Sequence, residues 1–245
     1  MDGARLHVEE RGHGDPLLLL HGMTGTGQDW RHLFDLDSLA DAHRVVAPDA
    51  RGHGRSTDTG ADFTFGRCAR DVLAILDALG IPQASAIGMS LGAKTLLHVA
   101  TEAPDRISSM ILVSAAARFP VATRAAFREA VTSEHSPEEW AKMRARHLHG
   151  DEQIRHLWRL PERLAEATID LAFTPEQLAT ITARTLIVSG DRDPFYPVEL
   201  ALELHRGIPR SSLWIVPDGL HLPVFLAERE AFARTAMTFL RRDGH

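Results

Sequence analysis

The run Gly88-Met89-Ser90-Leu91-Gly92 sets a serine between two glycines, where an apolar stretch, Ala84 to Gly88, meets one with helical spacing, Leu91 to Ala103. A strand that turns sharply into a helix lifts the Ser90 hydroxyl above the end of a sheet, within reach of an incoming carbonyl. A side chain at Gly88 or Gly92 would collide with the backbone folded round the serine. The plainer reading of Ser90 is an N-cap of the following helix, since serine accepts readily from the first free N–H groups. A serine hydroxyl is a weak nucleophile at neutral pH, so it needs a general base and a group that fixes the tautomer of that base.

Of the fourteen histidines, His221 follows a late apolar run, Ser212 to Val216, and precedes the last helical stretch. That position faces the same sheet edge as Ser90. His21 and His53 lie beside glycines in turns after early strands, and read as histidines bonded to backbone that shape their loops. The acid is expected after the strand before that of His221, where Ser189-Gly190-Asp191-Arg192-Asp193-Pro194 offers two aspartates. Asp193 is farther out, past the Gly190 turn and pinned by Pro194, so its carboxylate reaches toward His221. Asp191 reads as a turn residue that caps or pairs with Arg192. Two backbone N–H groups suit a developing oxyanion: Leu91, next to the serine, and Met23, in the loop His21 to Gly25. That loop has the alternative reading of a flexible Gly/Thr turn. A phosphate-binding reading of its glycines is weaker, because no G-x-x-x-x-G-K-[ST] pattern occurs and no Lys follows.

The elements that must position these residues follow from the hydrophobic pattern. Ala4 to Glu10 alternates like an edge strand, and Pro16 to Leu20, Arg44 to Ala47, Ala84 to Gly88, Ser109 to Val113, Thr185 to Ser189 and Ser212 to Val216 are short apolar runs. Helical spacing marks Gln28 to Leu39, Phe65 to Leu79, Leu91 to Ala103, Val198 to Arg206 and Ala227 to Arg241. Apolar strands alternating with helices predict an α/β fold: a mostly parallel sheet of seven strands covered on both faces, the first antiparallel at the edge. Residues 116–182 lack any strand-like run, are dense in Ala, Arg, Glu and Leu, and predict a helical insertion. Its histidines, His135, His147, His149 and His156, share no metal-ligand spacing.

A chain of 245 residues with formal net charge −6 and no long Lys/Arg run predicts one large domain without a nucleic-acid footprint. A lone Cys68 forms no internal disulfide and no cysteine-based metal site, so nothing implies an oxidising compartment and the cytoplasm is expected. No run approaches the roughly 18 apolar residues of a membrane span, and no export signal is visible.

Five motifs in this order resemble the α/β-hydrolase fold family: the His21-Gly22 loop, Asp49 to Ser56, the Ser90 turn, Gly190 to Pro194, and Gly219-Leu220-His221. The stretch from Asp71 to Gly92 is similar to enol-lactonases and small carboxylesterases. Ala93 departs from the family by replacing a second glycine often seen after the serine turn, and the His21 loop lacks a Gly-Gly run. The resemblance implies a core of residues 1–115 and 183–245, with a helical cap, 116–182, inserted after the sixth strand. It implies hydrolysis of a carboxylic ester or lactone through a Ser90 acyl-enzyme, with Asp193 and His221 completing the triad and no metal or organic cofactor. Wall candidates for an apolar substrate pocket are Met23, Met89, Leu222, Phe119, Phe127, Trp140 and Trp158, each cap aromatic having the alternative of packing in the cap's own core. The same fold also serves carbon–carbon bond hydrolases, haloperoxidase-like enzymes, lyases and small-molecule receptors.

Overall fold

Side chains alternate between the two faces of a strand, so an unbroken apolar run must feed two hydrophobic layers at once. Leu17 to Leu20 does so in the computed structural model, which describes residues 3–58, 63–131, 134–166 and 171–241. Leu18 and Leu20 enter one buried layer and Leu17 and Leu19 the other. Among the described residues seven strands form one sheet: β1 (Val8–Arg11), β2 (Asp15–Leu20), β3 (His43–Pro48), β4 (Ala84–Met89), β5 (Ile107–Val113), β6 (Arg184–Gly190) and β7 (Ser211–Val216), in the order β1-β3-β2-β4-β5-β6-β7. Only β1 pairs antiparallel, with β3; the other neighbours are parallel. The carboxyl ends of β2 to β7 therefore share one edge.

The helices are α1 (Leu36–Ala40), α2 (Phe65–Ala78), α3 (Leu91–Glu102), α4 (Val121–Ala130), α5 (Pro137–Arg146), α6 (Asp151–Glu166), α7 (Pro175–Ala179), α8 (Val198–Gly207) and α9 (Arg229–Leu240). Val72 and Leu76 of α2, Leu96 and Leu97 of α3 and Leu204 of α8 pack on the Leu18 face. Trp30, Leu33, Phe34, and Phe232 and Phe239 of α9 pack on the Leu17 face. One expected helix, Gln28 to Leu39, is broken into a 3-10 turn (Gly27–His32) and α1. The break has a local cause: the Asp35 carboxylate accepts from the N–H groups of Asp37 and Ser38, which starts a new helix there. The expected first strand is shorter than its alternation suggested, beginning only at Val8.

Helices α4 to α7 lie between β5 and β6. The inserted segment thus follows the fifth strand in chain order rather than the sixth that the resemblance implied, because among the described residues only one strand, β1, precedes β2. Of the expected insertion, residues 132–133 and 167–170 lie outside the described residues. An antiparallel bridge between Arg118 and Ala172, with Phe173 N–H donating to Ala117 C=O at 3.0 Å, closes its base. Among the described residues no helix is long and apolar enough to cross a membrane.

The turn from β4 into α3 depends on two close approaches. A Cβ at Gly88 would stand 2.6 Å from Gly92 C=O, and one at Gly92 would stand 2.2 Å from Leu20 C=O on the neighbouring strand. Both obstacles are backbone, which cannot swing aside like a side chain. Gly92→Ala is expected to cost about 1–3 kcal/mol as an overpacked core does, lowering the urea midpoint with the slope unchanged. An unaltered midpoint in urea denaturation would contradict this packing.

Candidate active site

Ser90 joins β4 to α3 with φ at +48° and ψ at −100°, a conformation that side chains rarely adopt. The surroundings hold it there: Ser90 N–H donates to Val113 C=O at 2.8 Å, and Gly92 N–H donates to His21 C=O at 3.1 Å. The hydroxyl stands at the carboxyl edge of the sheet, with the residue 6% exposed.

Two loops bring the other groups to it. A Cβ at Gly190 would lie 2.1 Å from Gly219 C=O, so the turns after β6 and β7 touch backbone to backbone. This contact closes the gap between Asp193 and His221. Asp193 Oδ1 accepts from the N–H groups of Phe195 and Tyr196 at 2.9 and 3.1 Å, and Oδ2 lies 2.8 Å from His221 Nδ1. A carboxylate only accepts, so the ring hydrogen sits on Nδ1, leaving Nε2 as acceptor. Nε2 is 3.0 Å from Ser90 Oγ. The hydroxyl can therefore donate directly into the unprotonated face of the imidazole. Asp193 is buried, whereas Asp191 is exposed. Arg192 faces Asp218 at 3.6 Å rather than Asp191.

Leu91 opens α3, where N–H groups have no partner inside the helix. Met23 is half-buried in the loop after β2 and packs against the cluster that contains Leu91, Phe119 and Phe127. Phe119 stacks on Tyr196 at 6.2 Å, Phe127 meets Phe195 at 5.4 Å, and Phe195 meets the His221 ring at 5.1 Å. Leu222 lies beside Gly22 and Ser90. The remaining wall candidates are elsewhere. Met89 is buried in the layer with Trp30 and Phe232, because strand alternation turns it to the face away from Leu91. Trp140 and Trp158 pack with Met143, Ile154 and Leu157 in a separate cluster internal to the inserted segment, their rings 4.5 Å apart. An aromatic residue on a helix gives no signal of which cluster it joins.

The early histidines shape loops. His21 Nδ1 donates to Gly22 C=O at 2.7 Å and its Nε2 accepts from Ala50 N–H at 2.9 Å; His53 Nδ1 is 3.0 Å from Arg51 C=O. Burial lowers the pKa of both, that of His53 far below its ordinary value. Three polar residues near the site had no role in the sequence reading. Ser114 Oγ accepts from Leu222 N–H at 3.0 Å and so holds the residue after His221. His147 docks the inserted segment on the core, accepting from Gly54 N–H at 2.9 Å and donating to Thr24 C=O at 3.1 Å. Lys94 is 1% exposed, its Nζ 2.8 Å from Tyr196 Oη and 3.5 Å from Ser90 Oγ. Its position four residues after Ser90, one helical turn on, was the available signal. Among the described residues no three His, Cys, Asp or Glu side chains are grouped to hold a metal ion.

Residues 15–228 match the family model described as the alpha/beta hydrolase fold. The putative carbamate hydrolase RutD of Variovorax paradoxus is 31% identical over 97% of this chain and 96% of that protein. The 2-hydroxy-6-oxo-6-phenylhexa-2,4-dienoate hydrolase of Comamonas testosteroni is 28% identical over 97% and 91%. The crystal structure of an enol-lactonase from Burkholderia xenovorans superposes with a TM-score of 0.76 at 25% identity, covering 97% of each chain. The chain spans only 37% of the length of another match, the dihydrolipoyllysine-residue acetyltransferase component of the acetoin cleaving system of Cupriavidus necator.

Ser114 gives the geometry a direct check. Ser114→Ala removes the acceptor for Leu222 N–H and is expected to cost about 1–3 kcal/mol. Hydrogen exchange at the Leu222 amide should quicken while that of the β4 amides holds; equal protection in variant and parent would show that the contact does not secure the loop.

Proposed function

The chain belongs to the α/β-hydrolase fold family, and from that premise we propose that it hydrolyses a carboxylic ester or lactone through an acyl-enzyme on Ser90. The observation that carries this reading is the unbroken run of hydrogen-bond contacts from Ser90 Oγ through both nitrogens of His221 to a buried, fully engaged Asp193. Ser90 Oγ attacks the carbonyl carbon while His221 Nε2 takes its proton. Asp193 holds the imidazole in the accepting tautomer and stabilises the cation that forms. The N–H groups of Met23 and Leu91 receive the oxyanion, with no side-chain entropy to lose. The proton on His221 then leaves with the alcohol, and His221 activates the water that releases the acid. No step calls on a metal or an organic cofactor.

Met23, Phe119, Phe127 and Leu222 form the apolar surface next to Ser90 in this reading, and residues 116–182 act as a cap that restricts the acyl group. A second reading is carbon–carbon bond hydrolysis, supported by the Comamonas relative named above. It uses the same triad on a different scissile bond.

A graded series of p-nitrophenyl esters, lactones and that dienoate separates the two readings by which class turns over. Ser90→Ala should lose roughly 10³-fold or more in kcat and all labelling by a fluorophosphonate. Asp193→Asn should cut kcat by several orders of magnitude, on the order of 10⁴ where the wrong tautomer results, whereas Asp191→Asn should leave kcat near that of the parent. Labelling that survives Ser90→Ala, or full activity in Asp193→Asn, would remove the assignment.

A further inference from the structure

Burying an ammonium group is costly, and such groups are normally paired with a carboxylate. Lys94 is buried on α3 without one: among the described residues no carboxylate lies within ion-pair distance of its Nζ. Its neighbours are the faces of Phe65, Phe119 and Tyr196, with ring centroids 5.4, 5.8 and 4.8 Å from Nζ, together with Tyr196 Oη at 2.8 Å and Ser90 Oγ at 3.5 Å. Burial lowers its pKa to about 7, against a smaller opposing pull from Asp193. The same burial, with Asp193, pushes the Tyr196 phenol above its ordinary range, so Tyr196 keeps its hydrogen; a hydrogen bond with the Ser90 hydroxyl works in the other direction. Ser90 Oγ thus has an acceptor in front of its hydrogen, His221, and a donor on its lone-pair side, Lys94, whose ammonium is held by Tyr196 Oη.

We propose that Lys94 and Tyr196 are a positioning pair for Ser90, which turns its hydroxyl hydrogen toward His221 and stabilises the electron pair that Oγ regains when the acyl-enzyme is hydrolysed. The proposal rests on the reading of Ser90 as the acylated nucleophile. A serine oxygen has one hydrogen and two lone pairs. A donor on the lone-pair side, Lys94, leaves His221 Nε2 as the partner for the hydrogen. In deacylation, water adds to the acyl carbon as His221 takes one of its protons. The C–Oγ bond then breaks, the electron pair stays on Oγ, and the proton on His221 passes to it. Lys94 N–H, held in place by Tyr196 Oη, donates to Oγ while that charge is greatest, so the step the pair favours most is loss of Ser90 from the intermediate.

The charge on Lys94 sets the sign of the pH dependence. The ammonium form, the stronger donor, is present below about 7 and is lost as pH rises through it. The polar and titratable groups facing Lys94 are few. Ser90 lies one turn back on its own helix; Asp193 and Tyr196 come from the loop after β6, and His221 from the loop after β7. α2 and the loop after β5 present Phe65 and Phe119, and His98 stacks on the Phe65 ring. Deacylation should therefore slow on the alkaline side of about 7, and this limb should belong to Lys94.

Stopped-flow hydrolysis of p-nitrophenyl acetate by the full chain tests the pair. Lys94→Met replaces the amine by an apolar side chain of similar length in an aromatic surround, and Tyr196→Phe keeps the ring stacked on Phe119. Each variant is expected to release a burst approaching one equivalent of p-nitrophenol, followed by a kcat about ten- to a hundredfold below the parent. KM should fall with kcat, so that kcat/KM changes less, and Lys94→Met should lose the alkaline limb of the kcat profile. Parental kcat and pH profile in Lys94→Met would overturn the proposal. So would an equal loss of kcat and kcat/KM without a burst and with the profile unchanged, the signature of packing alone. If Lys94→Met does not fold, the Tyr196→Phe burst and its kcat-against-KM split decide in the same way. Turnover that survives Ser90→Ala would instead remove the nucleophile on which the pair is argued to act.

Discussion

A serine held at a left-handed φ, with backbone packed against it on two sides, is the constraint on which the rest of this molecule depends. Such a conformation costs on the order of 1–3 kcal/mol and persists only where neighbours over-determine it. Here those neighbours are β2 and β5. Leu20 C=O presses on Gly92, His21 C=O accepts from Gly92 N–H, and Val113 C=O accepts from Ser90 N–H. Parallel pairing of β4 with both strands puts these carbonyls in place, and the two apolar layers that bury Leu17 to Leu20 fix the register. The core therefore does more than stabilise the chain, since it keeps one hydroxyl in a conformation it would not adopt alone.

Strain is concentrated at the same edge. Among the described residues, the non-glycine residues at positive φ are Thr24, Ser90, Ser114, Asp218 and Leu222, which follow β2, β4, β5 and, for the last two, β7. Each lies in a loop at the carboxyl ends of the strands. Thr24 follows the Met23 N–H, Ser114 and Leu222 bond to one another beside His221, and Asp218 precedes the glycine that meets Gly190. Helices and strands in the body of the fold take ordinary backbone angles, and the loops that carry the polar groups take the costly ones. Concentrating the strain in this way keeps the atoms of the site within hydrogen-bond reach without weakening the sheet.

What could be read from the sequence follows the same division. Apolar runs split by turns revealed the strands, and a serine between two glycines at a strand-to-helix junction revealed the tight turn, because both signals are local. Asp193 could be preferred to Asp191 from the reach past Gly190, and the two aspartates do lie in different surroundings, one buried and one exposed. Lys94 carried a signal only in standing one helical turn after Ser90, since a lysine within a helix ordinarily reads as a solvated side chain and only tertiary packing buries it beside Tyr196. Ser114 and His147 act through backbone partners distant in sequence, Leu222 and Gly54, which no periodicity reports. Met89, a wall candidate on sequence, lies in the layer with Trp30 and Phe232, because one residue along a strand reverses the face.

The inserted segment divides along similar lines, into a cluster shared with the core and a cluster of its own. One aromatic and aliphatic cluster is shared: Phe119, Phe127, Leu160 and Leu164 from the segment meet Phe65, Leu91, Tyr196 and Leu200 from the core. The second, with Met143, Ile154, Leu157, Trp140 and Trp158, draws on the segment alone. The base is fixed by the Arg118–Ala172 bridge and the far side by His147, whose neutral ring, its pKa lowered chiefly by burial, both accepts and donates to core backbone. Further contacts add to these: Leu148 N–H donates to Gly54 C=O at 3.1 Å, Gln153 Nε2 to Gly52 and Gly54 C=O at 3.1 and 3.2 Å, and Arg146 pairs with Asp29 at 3.0 Å. The Ser90, His221 and Asp193 contacts are made by residues after β4, β6 and β7, and the segment reaches them through Thr123, whose Oγ1 donates at 2.7 Å to Phe195 C=O in the loop that holds Asp193.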